Sequence, residues 1–336
     1  MEIIIGLLII AVGSFGQSSS YVPINKVKDW SWESFWFVQG IFAWLVFPLI
    51  GALLAVPSLS QLFDLYSSNS QASLMTVFFG ILWGIGGLTF GLSMRYLGVA
   101  LGQSIALGTC AGLGTILTPV FTNNTKDLTM PVVVGVIVTL VGIAIIGIAG
   151  SLKAKNVSDE EKKKAVKDFN FTKGLLVALL AGFMSACFSI GLGFGESLHL
   201  AGTPDIFKSL PATLLVTFGG FLTNATYCFI QNSKNKTFSD YGKKSIYLNN
   251  ILFCALAGVL WYSQFFGLSL GKGFLKDSAV LLTFSWCILM ALNVTFSNVW
   301  GIILKEWKGC NQKTIVILLL GILVLVISSF LPQLLK

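Results

Sequence analysis

Charge is scarce in this chain, and reactive side chains are scarcer. Charged residues make up 11% of its 336 residues, against about 25% in a typical soluble domain. Histidine occurs once, at His199, and arginine once, at Arg95. General acid–base pairs, catalytic triads and metal clusters therefore lack the side chains they need. We predict that the protein is not an enzyme and that it uses no cofactor or metal.

Paired cysteines are also absent. Five of the six cysteines lie inside apolar runs, the sixth lies in a short loop, and none forms a CxxC motif. This spacing indicates neither a disulfide framework nor a metal site, and it favours small buried apolar side chains. The net charge of +8 does not indicate nucleic acid as a partner, because no stretch is long enough to form a basic soluble module.

Long apolar runs are what the chain does contain. Hydrophobic residues make up 55% of it, and ten uncharged runs of about 20 residues or more recur along its length. Each run can cross a hydrocarbon core of about 30 Å, so we predict an all-α membrane protein surrounded by lipid. The first run follows an acidic start, which favours a retained helix over a signal peptide. The predicted spans are Ile3–Tyr21, Phe35–Val56, Ala72–Met94, Val99–Val120, Pro131–Leu152, Gly174–Gly195, Leu210–Gln231, Leu248–Leu270, Ser278–Leu304 and Thr314–Leu335.

A repeated string indicates internal duplication. Leu82-Trp83 in the third run matches Leu260-Trp261 in the eighth, and the string FGLS follows in both copies. The match needs a gap of two residues between its two parts. The one long connection, between the fifth and sixth runs, holds a capping-box pattern that opens a short charged helix. We therefore predict a first five-helix half over 1–152, a linker over 153–173 and a second five-helix half over 174–336.

The distribution of lysine and arginine predicts the orientation. Connections that follow odd-numbered spans carry 17 of the 22 basic residues. The basic side is expected to be cytoplasmic, which places the 153–173 linker inside and both termini outside. Because five crossings are an odd number, a duplicated five-span half must insert its second copy inverted. Inverted repeats are typical of secondary transporters, whose binding site lies near the bilayer midplane.

Six strings in order along the chain carry a resemblance to a known family. They are NKVKDWSWE (25–33), WGIGGLTFGLSMRYLGVALGQSIALG (83–108), GTILTP (114–119), VTLVGIAIIGIAGSLK (138–153), LWYSQFF (260–266) and ILKEW (303–307). The chain resembles the bacterial L-rhamnose/proton symporter family, a ten-helix branch of the drug/metabolite transporter superfamily. The resemblance implies two inverted five-helix halves in the bacterial cytoplasmic (inner) membrane. It also implies uptake of a neutral deoxy sugar, most simply L-rhamnose, driven by the proton gradient.

A sugar-binding site needs flat aromatic side chains that cover the C–H face of the sugar, and polar side chains that form hydrogen bonds with its hydroxyl groups. The alternative roles are interfacial anchoring for tryptophans and helix bridging for buried amides. Trp83 and Trp261 lie about a dozen residues inside their spans, which disfavours anchoring. The substrate-binding candidates are Trp83, Trp261, Tyr262, Trp286, Gln264, Asn224, Gln103 and Gln39.

Proton coupling needs a group whose protonation changes during transport, and ionisable residues near the spans are few. Glu196 directly follows the sixth span, and His199 can interact with it if the helix continues. A proton-coupling role would need Glu196 to be partly buried; a solvated helix end is the alternative. Asp277 is a further candidate, and Lys276 beside it can pair with it. Arg95, at the end of the third span, is either a positive-inside anchor or a gate.

Together, the resemblance and these residues predict a proton-coupled sugar importer that works by alternating access. Sugar is expected to bind on spans three and eight, with help from spans two, seven and nine. Two alternatives stay open on the residues alone. One is an exporter of metabolites or amino acids from the same superfamily, and the other is a sugar-binding membrane receptor that does not transport.

Overall fold

The structure, a computed structural model, describes residues 1–97, 99–155 and 171–335. Within these ranges the side chains at positions 95, 99–101, 154, 155 and 171 are not described. All regular secondary structure in the described ranges is helical. Helices satisfy their backbone polar groups internally, as an element that crosses lipid must.

Ten described helices are long and apolar enough to cross a membrane, which confirms the predicted number of spans. Their bounds agree with the apolar runs of the sequence to within a few residues at most ends. Spans 1 to 10 are Glu2–Ile24, Trp32–Ala55, Ser70–Met94, Gly102–Phe121, Met130–Lys153, Thr172–Phe194, Asp205–Asn235, Lys244–Phe274, Ala279–Ile303 and Gln312–Leu334.

Shorter helical pieces lie between or within the spans. The helix Leu59–Ser68 connects spans 2 and 3, and span 2 is interrupted by a π-helical turn over Phe42–Val46. The helix of span 3 continues to Leu97, the helix of span 4 begins at Val99, and the backbones of Gly102 and Met94 approach closely, as the predicted tight hairpin requires. Three 3₁₀ turns occupy Thr125–Asp127, Asp205–Phe207 and Thr237–Gly242.

Polar side chains cap several helix starts. Ser31 accepts a hydrogen bond from the amide of Ser34 at the start of span 2, and Ser278 accepts one from Leu281 at the start of span 9. Asn311 does the same at span 10, where its side chain accepts from Thr314. Each cap satisfies one amide that the helix leaves without an internal partner.

The contacts divide the chain into two compact units, and each unit takes helices from both halves of the sequence. Unit A consists of Met1–Gly84 and Gly191–Lys276, and unit B of Ile85–Ile190 and Asp277–Lys336. Unit A therefore holds spans 1, 2, 7 and 8 with most of span 3. The division of the sequence at 153–173 into two duplicated halves stays a prediction, and residues 156–170 of that linker lie outside the described ranges.

Small residues let helices approach closely within each unit. In unit A, Gly13 of span 1 and Gly267 of span 8 face each other, and Ser263 Oγ donates a 2.9 Å hydrogen bond to the carbonyl of Gly13. In unit B, Thr139 of span 5 donates to Ser328 of span 10 over 2.9 Å. Hydroxyl and small side chains are the usual means of joining helices in lipid, where apolar burial gives little preference between partners.

Two contacts, one in each unit, show which loops lie on the same side. The amide of Ser31, after span 1, donates to Asp240, after span 7, over 2.8 Å. Lys153, at the end of span 5, pairs with Glu306, after span 9, at 3.8 Å. Each of these contacts joins loops that follow odd-numbered spans, as ten alternating crossings require.

Candidate functional site

Three tryptophans from three spans of unit A meet in one cluster. Trp83 of span 3 and Trp261 of span 8 lie 5.8 Å apart between ring centroids, with their planes tilted by 36°. The ring of Trp44 in span 2 is nearly perpendicular to both, with its centroid 6.1 Å from that of Trp83 and 5.8 Å from that of Trp261. The structure therefore brings together the two tryptophans of the repeated string. Trp44 is 4% exposed, whereas Trp83 and Trp261 are half-buried.

The indole ring of Trp83 packs against span 7. The six-membered ring of Trp83 lies directly on Gly220, where any Cβ would overlap it. Gly84 and Gly220 also let spans 3 and 7 approach closely, since a Cβ at Gly84 would lie 3.0 Å from the Cα of Gly220. Thr223 Oγ1 donates a 3.0 Å hydrogen bond to the carbonyl of Ile81 across the same contact. Glycine at position 220 is therefore required for the ring's present position.

Asn224 links three spans and orients a further tryptophan. Its Oδ1 accepts a 3.0 Å hydrogen bond from Nε1 of Trp36, and its Nδ2 donates to the carbonyl of Gly220 at 2.8 Å and, weakly, to that of Gly84 at 3.4 Å. Trp36 in turn packs edge-on against Trp44 at 5.5 Å. These contacts fit the helix-bridging role and make Asn224 a residue that positions the cluster.

Three buried polar atoms in spans 2 and 8 have no hydrogen-bond partner among the described residues. They belong to Gln39 (Oε1), Trp44 (Nε1) and Tyr262 (Oη). Each residue is 3–4% exposed, and Tyr262 Oη lies against Gly51 of span 2. A buried polar group without a partner costs about 1–3 kcal/mol, so such groups commonly mark the place of a ligand or ordered water.

The other substrate-binding candidates lie in different surroundings. Gln264 Nε2 donates a 3.1 Å hydrogen bond to the carbonyl of Trp261 within span 8, and its side chain is buried. Gln103 is half-buried in span 4, in unit B. Trp286, also in unit B, stacks on Phe188 at 5.7 Å and donates from Nε1 to the carbonyl of Cys110 at 3.2 Å. Trp286 therefore has the contacts of a packing residue.

The proton-coupling candidates lie at span ends. The helix of span 6 ends at Phe194, and the chain turns through Gly195, so Glu196 and His199 do not stack on a continuing helix. Glu196 is exposed. His199 is half-buried, with Nδ1 3.3 Å from the carbonyl of Leu200.

Asp277 is exposed, and its neighbour Lys276 donates a 3.0 Å hydrogen bond to Asp205. Asp205 also pairs with Lys208, at 2.5 Å. The sequence did not indicate Asp205 as the partner of Lys276. The side chain of Arg95 lies outside the described part of the chain, so its role as anchor or gate stays a prediction.

Buried acidic residues at one end of unit A escaped the sequence analysis. Glu33 Oε1 accepts hydrogen bonds from Asn235 at 2.9 Å and Thr237 at 2.8 Å. Asp240 accepts from Lys243 at 2.6 Å and from the amide of Ser31 at 2.8 Å. Burial alone would raise the pKa of Asp240, but these hydrogen bonds outweigh it and hold the pKa below its usual range. The network fixes the loop after span 1 to the loop after span 7.

Trp44 also escaped the sequence analysis, although a signal for it existed. It lies twelve residues inside span 2, which is the criterion that separated Trp83 and Trp261 from interfacial anchors.

The side chains of the tryptophan cluster and its unpartnered polar atoms carry no charge. Within the described residues, no three His, Cys, Asp or Glu side chains are grouped to hold a metal ion. Such a lining suits a neutral ligand with both C–H faces and hydroxyl groups.

Comparison with known proteins gives a concordant result. The family model described as L-rhamnose-proton symport protein (RhaT) matches residues 1–334. The L-rhamnose-proton symporter of Yersinia pestis (strain Pestoides F) is 34% identical over 341 residues, covering 97% of this chain and 96% of the relative. The protein of the same name from Yersinia pseudotuberculosis serotype O:1b (strain IP 31758) matches with the same identity and coverage.

Proposed function

Because this chain belongs to the L-rhamnose-proton symporter family, we propose that it imports L-rhamnose together with a proton. The match along nearly the whole chain carries the proposal, since it includes every span. Family membership favours this function over the exporter and the non-transporting receptor. The ten membrane-crossing helices agree with a multi-pass membrane transporter.

The proposed sugar site is the cluster of Trp44, Trp83 and Trp261. The half-buried indoles of Trp83 and Trp261 can cover the C–H face of a pyranose ring by apolar contact. The unpartnered atoms of Gln39 and Tyr262 are available for sugar hydroxyls, which must exchange their hydrogen bonds with water for hydrogen bonds with protein. Four of the five spans expected to hold the sugar (2, 3, 7 and 8) contribute to this part of unit A.

We assign the finer points of location and coupling to the same proposal. The protein resides in the bacterial inner membrane, with both termini outside and the 153–173 linker in the cytoplasm. Glu196, His199 and Asp277 are the candidate carriers of the coupled proton. Alternating access opens the sugar site to one side of the membrane at a time.

The test is uptake of labelled L-rhamnose and related deoxy sugars by cells that lack any other rhamnose carrier, with external pH recorded. We expect accumulation against the gradient and alkalinisation of the medium with L-rhamnose alone. Accumulation of L-rhamnose without a change in external pH would rule out proton coupling. Binding without accumulation would support the receptor, and efflux under the reversed gradient alone would support the exporter.

A paired substitution tests the proton carriers. Replacing Glu196 and His199 together by glutamine removes both titratable groups and keeps hydrogen-bonding capacity. We expect facilitated equilibration of sugar to persist and uphill accumulation to be lost. If the double variant still concentrates L-rhamnose and still alkalinises the medium, these two residues do not carry the proton, and Asp277→Asn is the next variant to measure.

A further inference from the structure

Span 2 contains a widened turn at the level of the tryptophan cluster. The π-helical turn Phe42–Val46 closes with a hydrogen bond from the amide of Phe47 to the carbonyl of Phe42. Trp44 lies at its centre. π-turns inside α-helices are uncommon and occur frequently at functional sites. The turn therefore makes Trp44 a candidate functional residue.

The indole of Trp44 is held in a defined orientation. A Cβ at Gly40 would lie 2.6 Å from Cζ3 of the ring, so the ring folds back over Gly40. Trp36, Trp83 and Trp261 each pack within 6.1 Å of the ring, all at angles of 72° or more. With four neighbours around it, the indole presents its N–H in one direction only. An orientation this well fixed is needed to discriminate between the hydroxyls of a ligand.

Trp44 within the turn and Gln39 just before it carry complementary polar groups. Nε1 of Trp44 can only donate, and the amide oxygen Oε1 of Gln39 can only accept. Both atoms are buried and have no protein partner within the described ranges. A hydroxyl group accepts one hydrogen bond and donates another, so a single hydroxyl can satisfy both atoms. In a continuous α-helix two residues five apart would point about 140° away from each other, and the wider turn reduces that angle.

We infer that Trp44 and Gln39 determine sugar specificity by holding one hydroxyl group, with Trp44 donating from Nε1 and Gln39 accepting at Oε1. This inference rests on the proposed function, because it needs a polyhydroxylated substrate at the tryptophan cluster. The π-turn is the structural device that brings donor and acceptor to the same hydroxyl. Gly40 provides the space that the indole needs beside Gln39.

The test compares L-rhamnose with its 2-deoxy, 3-deoxy and 4-deoxy derivatives as competitors for labelled L-rhamnose on the full-length protein in nanodiscs. For the wild type we expect one derivative to bind about tenfold more weakly, because it leaves both buried atoms unsatisfied. In Trp44→Phe that difference should shrink to about twofold or less, and Gln39→Met should shrink it for the same derivative. Trp30→Phe is the matched control, since Trp30 Nε1 is likewise buried and without a described partner but lies outside the spans.

Replacing Trp44 by benzothienylalanine, which exchanges N–H for sulfur at almost unchanged shape, gives the same answer if phenylalanine disturbs the fold. The inference is overturned if the wild type binds L-rhamnose but both variants still bind the same deoxy derivative about tenfold more weakly. It is also overturned if the tenfold difference disappears for one derivative in Trp44→Phe and for another in Gln39→Met. Loss of stability with unchanged hydroxyl preference also overturns it, because the indole N–H would then serve packing alone. If the wild type binds no L-rhamnose at all, the proposed function fails as well.

Discussion

Gly220→Ala tests the position of Trp83 with the smallest possible change. The added methyl group would overlap the six-membered ring of Trp83, and the hydrogen bond from Thr223 to Ile81 opposes a retreat of span 7. Carbon atoms in contact lie about 3.5 Å apart, so the ring must move by more than about 1 Å. Overpacking of this kind costs about 1–3 kcal/mol. A misplacement of about 1 Å can cost an enzyme about 100-fold in rate, and we expect a binding group displaced by the same distance to lose at least tenfold in affinity.

The assay is equilibrium binding of labelled L-rhamnose to purified protein in nanodiscs, together with thermal unfolding of the same samples. We expect affinity to fall at least tenfold in Gly220→Ala while the protein stays folded. Gly91→Ala is the control, because Gly91 lies in span 3 with open space around its Cα. A second change, Trp83→Phe in the Gly220→Ala background, should restore stability by relieving the overlap. Unchanged affinity in a folded Gly220→Ala protein would refute the assignment of Trp83 to the sugar site.

Three further predictions follow from the same contacts. Trp261→Ala should weaken L-rhamnose binding about tenfold with little loss of stability. Trp286→Ala should mainly lower the unfolding temperature, because it removes a buried ring worth about 3–5 kcal/mol of folding free energy. Binding and unfolding measurements on both variants separate the two roles. Asn224→Ala leaves the indole N–H of Trp36 without its acceptor and should cost about 1–3 kcal/mol of stability, measured by thermal unfolding. The pKa of Asp240 is lower in the folded protein than in the unfolded chain. The ionised carboxylate therefore stabilises the fold at pH values above its unfolded pKa of about 3.9, and this contribution is lost as the pH falls through the pKa of the folded state. Asp240→Asn should therefore be destabilising at pH 7, with a difference from wild type that shrinks below about pH 4; a difference that is constant with pH would show that the carboxylate charge is not responsible.

The spans could be predicted from the sequence because membrane crossing is a local property. An apolar run of about 20 residues has one stable arrangement in lipid, and its neighbours hardly change that. The pairing of Trp83 with Trp261 could be anticipated because a repeated string marked both positions. The adjacency of spans 2, 3, 7 and 8 at that pair followed only from the family resemblance and the logic of inverted repeats.

What escaped prediction depends on contacts between distant segments. The π-turn in span 2 leaves no mark in the hydrophobic pattern, because one widened turn shifts the period by less than the pattern's own scatter. The bond between Ser31 and Asp240 needs the loops after spans 1 and 7 to meet, and no local signal reports this. The sequence also left open whether the helix of span 6 continues to His199; the turn at Gly195 ends it, so Glu196 and His199 do not lie on one helix.

The most direct test of the account is an experimental structure of the protein in lipid with L-rhamnose bound. The account predicts a pyranose ring within about 4 Å of the indole faces of Trp83 and Trp261, with a sugar hydroxyl between Trp44 Nε1 and Gln39 Oε1. Sugar density at any other place, with the indoles of Trp83 and Trp261 packed against acyl chains, would contradict it.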